Sequence, residues 1–176
     1  MILIALTSMP NNCHNYVCLT AGTQTLTTIA SKPFDFDSYF PPPDMVDDGA
    51  LRDWYTMNYT CSWISAFDGG EPPKAKLSDD GSKIEIFFIS SWAPPLGFYK
   101  KLVAEFADLS IHYEYNEWGN LFCGHGDMSG TPLTTPDPTH YTYESEDQLE
   151  KILRSYAWTL VPFNPHFYSD SDTDME

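Results

Sequence analysis

The segment from Ile84 to Gly124 constrains this fold more than any other, because its apolar spacing changes from a period of two to one near 3.6 and back again. Ile84, Ile86 and Phe88 fall on one side of a strand and Phe87 and Ile89 on the other, so both sides call for burial and the strand is expected to be central. Ser90-Ser91-Trp92-Ala93-Pro94-Pro95 then ends it, since proline donates nothing to a ladder but suits the first turn of a helix. Tyr99, Leu102, Val103 and Phe106 share one helical face, with Lys100, Lys101 and Glu105 directed elsewhere. After Ala107-Asp108, Ile111, Tyr113 and Tyr115 alternate with His112 and Glu114, and Asn116 to Asn120 can turn the chain back into Leu121-Phe122-Cys123.

Further elements fall on either side of this block. Asn15 to Leu19 fits a first strand. Thr23 to Ser31 fits a short helix with Leu26, Ile29 and Ala30 as its apolar positions, although its threonines suit a strand equally well. Phe34 to Gly49 contains Pro41-Pro42-Pro43 and is expected to be an irregular but ordered arm, because consecutive prolines are stiff. A helix from Ala50 to about Met57 groups Leu51, Trp54 and Tyr55, a strand follows near Ser62 to Phe67, and Ser78-Asp79-Asp80-Gly81-Ser82 has the chemistry of a turn. The sum is βαββαβ with a hairpin extension, an α+β fold with helices on one face of an antiparallel sheet.

Beyond Gly124 the composition changes. Gly126 to His140 reads as a loop, its Pro132, Pro136 and Pro138 excluding a long helix. Ser145-Glu146-Asp147-Gln148 is a capping box that opens a C-terminal helix, with Leu149, Ile152, Leu153, Tyr156 and Ala157 at helical spacing. That helix is expected to lie on the core, and Trp158, Leu160, Val161, Phe163, Phe167 and Tyr168 to extend its apolar contact. The expected organisation is one domain over 1–168 followed by an acidic tail over 169–176.

Several of these residues form an ordered pattern: Trp92, Pro94, Pro95, Phe106, Leu109, Tyr113, Tyr115, Phe122 and Gly124. Upstream stand Pro10-Asn11-Asn12-Cys13 with Asn15, then Phe34-Asp35-Phe36 before the three prolines, then Trp54 to Trp63. In this pattern the chain resembles the ferredoxin-like domain of the YubB and Api92 type, small proteins encoded by bacteriophages and conjugative plasmids. The resemblance spans roughly Met9 to Gly124 and leaves about 50 C-terminal residues outside it. It implies the ferredoxin-like βαββαβ fold, a helix at Thr23 to Ser31 and an origin on a mobile element, and it implies no catalytic residue. Where the family shows Asn-Trp-Gly-Thr-Lys-Trp-Asp, this chain has Asn58-Tyr59-Thr60-Cys61-Ser62-Trp63-Ile64, so a function resting on that lysine and aspartate is not expected to carry over.

Charge separates the functional classes. Aspartate and glutamate number 25 against 9 lysines and arginines, a formal net charge of −16. Such a field repels phosphate backbones, whose binding depends on Lys/Arg neutralisation and counterion release, so direct nucleic-acid binding is not expected. Asp35, Asp37, Asp44, Asp47, Asp48 and Asp53 crowd one segment opposed only by Arg52. This arm is the candidate surface for a basic partner, such as a host protein with a DNA- or RNA-binding cleft. The leading functional expectation is an accessory protein that binds and inhibits a host protein, in a defence system acting on foreign DNA. Solubility is the competing meaning of the same charge. Asp170, Asp172, Asp174 and Glu176 form a tail with no apolar face to bury, expected to be disordered. Trp118, at the tip of the expected hairpin, is the candidate exposed anchor, unless it folds back over the sheet edge.

Catalytic and metal chemistry is thin. Cys13, Cys18, Cys61 and Cys123 lack metal-finger spacing and need no disulfides, so free buried thiols in a reducing cytoplasm are expected. Cys123-Gly124-His125 with His112, or Cys13-His14, could supply zinc donors, but nothing in the spacing enforces it. No oxyanion loop or orienting acid accompanies a Cys/His pair, phosphate-binding glycine patterns are absent, and no cofactor is expected. The alternative class is a small enzyme or ligand-binding domain using the open face of the sheet, with His112, Cys123 and His125 as its site. Ile2-Leu3-Ile4-Ala5-Leu6 is too short to span a membrane, no basic residue precedes it, and it is expected to add an edge strand.

Overall fold

The strand β1 (Asn12–Thr20) pairs antiparallel with both β3 (Lys83–Ser91) and β4 (Ser110–Glu117), and this double pairing organises the sheet. The computed structural model describes residues 11–44, 47–66, 71–156 and 158–159. The strand order is β2 (Ile64–Ser65), β3, β1, β4, β5 (Phe122–Gly130) and β6 (Leu133–Thr134), with β7 (Thr139–Thr142) also paired to β5. Three helices, α1 (Thr23–Ala30), α2 (Phe36–Tyr39) and α3 (Asp48–Tyr59), separate β1 from β2. α4 (Leu96–Glu105) connects β3 to β4, and α5 (Glu146–Ser155) follows β7. The βαββαβ order read from the sequence is present, and Thr23–Ala30 is helical.

Register explains the core. Val17 lies opposite Ile86 and Tyr113, and Leu19 opposite Ile84 and Ile111, so alternate residues of three adjacent strands point to one face. Onto that face α1 delivers Leu26 and Ile29, and α4 delivers Phe98, Tyr99, Leu102 and Val103, all buried. Phe34 and Phe36 fill the space beside Phe98, with ring centroids 5.3 and 5.2 Å from it in edge-to-face geometry. Asn15 and Ser90 are buried polar residues on this face, and the Asn15 amide nitrogen donates to the Cys13 carbonyl and to Ser90 Oγ, both at 2.8 Å.

The structure corrects four expectations. First, β1 and not β3 has long strands on both sides, because among the described residues the outer side of β3 carries the two-residue β2 and a single bridge from Leu77 to Ile84. Its two faces differ accordingly: Ile84, Ile86 and Phe88 are buried, whereas Phe87 is 46% exposed. Secondly, α5 lies against the opposite face from α1 and α4, over β5 and β7, where Leu149, Ile152 and Leu153 meet Cys123, Tyr141 and Tyr143. It does not reach Phe87.

Thirdly, the stretch from Gly126 is strand, since β5 runs to Gly130. Gly124 and Gly126 sit opposite Tyr115 and Tyr113, and a Cβ on either would overlap the hydroxyl of its tyrosine. Glycines that look like chain breakers here make room for aromatic rings across the ladder. Fourthly, the arm contains helix. The Asp35 carboxylate accepts the Ser38 N–H at 2.7 Å and caps α2, and the Asp47 carboxylate accepts the Gly49 N–H at 2.7 Å, so α3 begins at Asp48. The N-terminal run Ile2 to Leu6, the end of the expected strand at Phe67, residues 160–168 and the acidic tail lie outside the described residues.

Candidate partner-binding surface

The six acids of the arm occupy two helix starts, one helix flank and the proline run between them. Asp35 and Asp47 each cap a helix through a single carboxylate oxygen, and Asp37 accepts a hydrogen bond from the Tyr55 hydroxyl. Burial pushes the Tyr55 phenol up, and the bond to Asp37 adds to it. Asp48 stands in the first turn of α3, where a negative charge favours the positive end of the helix dipole. Asp53 lies 3.7 Å from Arg52, both side chains 71% exposed. Asp44 is exposed at the end of the prolines. Capping therefore fixes the backbone that carries these charges, while all but Asp35 remain exposed.

Two adjoining depressions open beside them. The larger, about 620 Å³, is lined by Leu51, Tyr55, Trp63 and Trp92 together with Asp48 and Arg52. The smaller, about 210 Å³, shares Tyr55 and Trp63 and adds Phe36, Asp35 and Asp37. Trp63 is held to the end of β3 by the Ser91 N–H, which donates to its carbonyl at 3.3 Å, while the Ser62 N–H donates to Ser91 Oγ at 2.8 Å. Trp92 is 45% exposed and has a backbone φ of +65°, a left-handed conformation that costs a bulky residue free energy. Its N–H donates to the Asn11 carbonyl at 2.8 Å.

On another flank of α3 an aromatic cluster already holds a cation of this chain. Lys101 Nζ lies 4.6 Å from the ring centroid of Tyr59 and 5.3 Å from that of Trp54.

Of the acids singled out in the sequence, the structure thus brings Asp35, Asp37 and Asp48 to the depressions and leaves Asp44, Asp47 and Asp53 on the surrounding surface. Trp118 belongs elsewhere. It is half-buried, edge-on to Tyr143 at 6.2 Å and 77°, in the small cluster under α5, so it folds back and is not the exposed anchor expected. The exposed tryptophan is Trp92, which sequence reasoning used as a strand stop and as part of the family pattern; an indole placed where two prolines force the chain to leave the sheet was its one signal.

His112, Cys123 and His125 do share the second sheet face, but that face is covered. Register sets His112 opposite Asp127 and Glu114 opposite His125. His112 Nδ1 lies 2.9 Å from Asp127 and Nε2 lies 3.3 Å from the buried Glu114. The bond to Glu114, with that to Asp127 behind it, holds the His112 imidazole above its ordinary range despite partial burial. His125 stacks on Tyr156 at 3.9 Å, and burial lowers its pKa. Cys123 is sealed in the α5 cluster, where burial pushes its thiol up to about 11 and leaves it protonated at neutral pH. Among the described residues no group of three or more His, Cys, Asp or Glu is placed to hold a metal. Nor, among them, is any helix long and apolar enough to cross a membrane.

The strand order with helices α1 and α4 against one face defines a ferredoxin-like α+β protein. Residues 74–155 match the family described as the ferredoxin-like domain in Api92-like protein, so this segment of the chain is similar to that domain. No curated protein and no solved structure gives a match. The matched segment takes in β3 through α5, so the C-terminal helix that the resemblance left outside lies within the family domain. β1 and the acidic arm precede it, yet β1 lies between β3 and β4.

Proposed function

We propose that this is a non-enzymatic binding protein of a bacteriophage or conjugative plasmid, acting in the bacterial cytoplasm to bind and inhibit a basic host protein. The observation that carries this reading is the arm itself: carboxylates fixed on capped helices, with Arg52 the only base among them, beside an aromatic groove. Charges carried on ordered backbone complement a partner at less entropic cost than the same charges on a floppy loop. The net charge of −16 attracts a cationic partner over distance and repels nucleic acid. Proteins that attack foreign DNA hold it in basic clefts, so an acidic surface standing in for the phosphate backbone fits that class of target.

The mobile-element origin rests on the Trp92 to Gly124 pattern and the family domain that contains it. The enzymatic alternative finds little support in the His112, Cys123 and His125 set, whose thiol is protonated and whose face lies under α5, Tyr156 and Trp158.

Capture from bacterial lysate, with wild type and the triple variant Asp44→Asn, Asp47→Asn, Asp48→Asn as baits, tests this reading. Asparagine caps a helix as well as aspartate, so the variant removes charge without removing the α3 cap. A basic protein retained by wild type at low salt, weakened at moderate salt and lost from the variant is the expected result. Equal retention by both baits would refute the role of the arm.

A further inference from the structure

We propose that the groove between α3, Trp63 and Trp92 is the seat of a single arginine side chain presented by a basic peptide segment of the partner. The proposal rests on the reading that the partner is basic, and it names the contact that anchors it. Trp92 is the first argument: a large indole kept 45% exposed, in an unfavourable backbone conformation, beside a concavity it helps to wall. Trp63 and Tyr55 supply further ring surface at the same place, Tyr55 and Trp63 in both depressions. A guanidinium is planar and weakly hydrated, so it stacks on such faces while its N–H groups remain free for carboxylates.

Charge complementarity is the second argument. The two depressions together are lined by three carboxylates, Asp35, Asp37 and Asp48, and by one cation, Arg52. Arg52 is 71% exposed and lies 3.7 Å from Asp53, a residue that does not line the groove and partly neutralises the guanidinium. The volume of about 620 Å³ lies in the range of small-ligand pockets and exceeds what one side chain fills, which leaves room for the flanking backbone of a peptide. The chain itself shows that aromatic surface on α3 holds a cation, since Lys101 rests over Tyr59 and Trp54.

The test is titration of ¹⁵N-labelled protein with the capped tripeptide Gly-Arg-Gly at low salt, read at the indole N–H signals. Its counterparts with citrulline and with lysine serve as neutral and ammonium controls. Saturable shifts at Trp63 and Trp92, with Trp118 and Trp158 unmoved, are expected for the arginine peptide, together with no saturation for citrulline and at least tenfold weaker binding for lysine. Trp92→Ala should weaken the arginine peptide at least tenfold and Trp92→Phe should restore most of it. Far-UV circular dichroism shows whether each variant is folded, and Asp48→Asn, expected to weaken binding several-fold, provides a variant with the aromatic walls intact.

Equal binding of citrulline or lysine, no saturation with arginine, or indifference to both Trp92→Ala and Asp48→Asn would each overturn the proposal. Failure of the groove with loss of the captured protein in the triple arm variant would leave the acidic-surface reading standing. Occupation of the groove with unchanged capture by that variant would do the reverse.

Discussion

Replacing neighbouring phenylalanines on β3 tests the fold at the strand where the sequence was most explicit. Phe88 is fully buried, edge-to-face with Phe34 at 5.8 Å and 61°, so Phe88→Ala leaves a cavity and forfeits that ring contact. Truncations of this kind cost about 3–5 kcal/mol. Phe87, one residue earlier, is 46% exposed, and its ring neighbour is Tyr16 at 4.9 Å. Full burial of such a side chain contributes about 1.5–3 kcal/mol, so the half that Phe87 buries is worth about 1 kcal/mol. Urea unfolding followed by tryptophan fluorescence separates the two. With a slope of about 2 kcal/mol per M, the midpoint falls by about 2 M for Phe88→Ala and about 0.5 M for Phe87→Ala. Equal losses, or a larger loss at Phe87, would refute the assignment of faces.

Three further outcomes follow from the same geometry. Glu114 and Asp127 raise the His112 pKa above 6.5, so its contribution to stability is complete below about pH 6.5 and disappears as pH rises through the higher folded value. His112 itself contributes to the lowered His125 pKa, so the comparison is made with His125→Asn in both proteins; there the stability of the His112 form relative to His112→Asn should decline across that window, and a flat or rising difference in urea midpoints against pH would contradict it. Burial raises the Cys13, Cys61 and Cys123 thiols, so a thiol reagent at pH 7 should label them no faster than the protein opens, with the half-buried Cys18 first. Residues 74–155 expressed alone should fail to fold by circular dichroism and NMR dispersion, because without β1 neither β3 nor β4 has the partner that lies between them; a stable, dispersed fragment would contradict this.

Most of the architecture was legible because it is written in local periodicity. Tyr99, Leu102 and Val103 bury the face their spacing marks, and Ile111, Tyr113 and Tyr115 do so on β4. What was not legible depends on partners distant in sequence. Gly126 looks like a breaker until Tyr113 is known to stand opposite it, and the central place of β1 appears only when β3 and β4 are seen on its two sides. The one-turn α2 is too short to show a helical period, although its Asp35 cap was visible as an acid. At the candidate site the acids stood out by number, whereas the groove needed Trp63 and Trp92 to meet from separate segments, and the choice between an exposed and a folded-back Trp118 stayed open because Tyr143, which it packs against, comes from beyond the hairpin.

The central claim, recognition of a basic partner by the acidic arm, is tested most directly by stopped-flow association between this protein and the protein it retains from lysate, measured over a series of salt concentrations. For wild type the association rate should fall steeply with ionic strength. For the Asp44→Asn, Asp47→Asn, Asp48→Asn variant it should be slower at low salt and fall less steeply, with dissociation less affected. An unchanged rate and an unchanged salt slope in the variant would contradict the account and leave the charge of the arm as a solubilising surface.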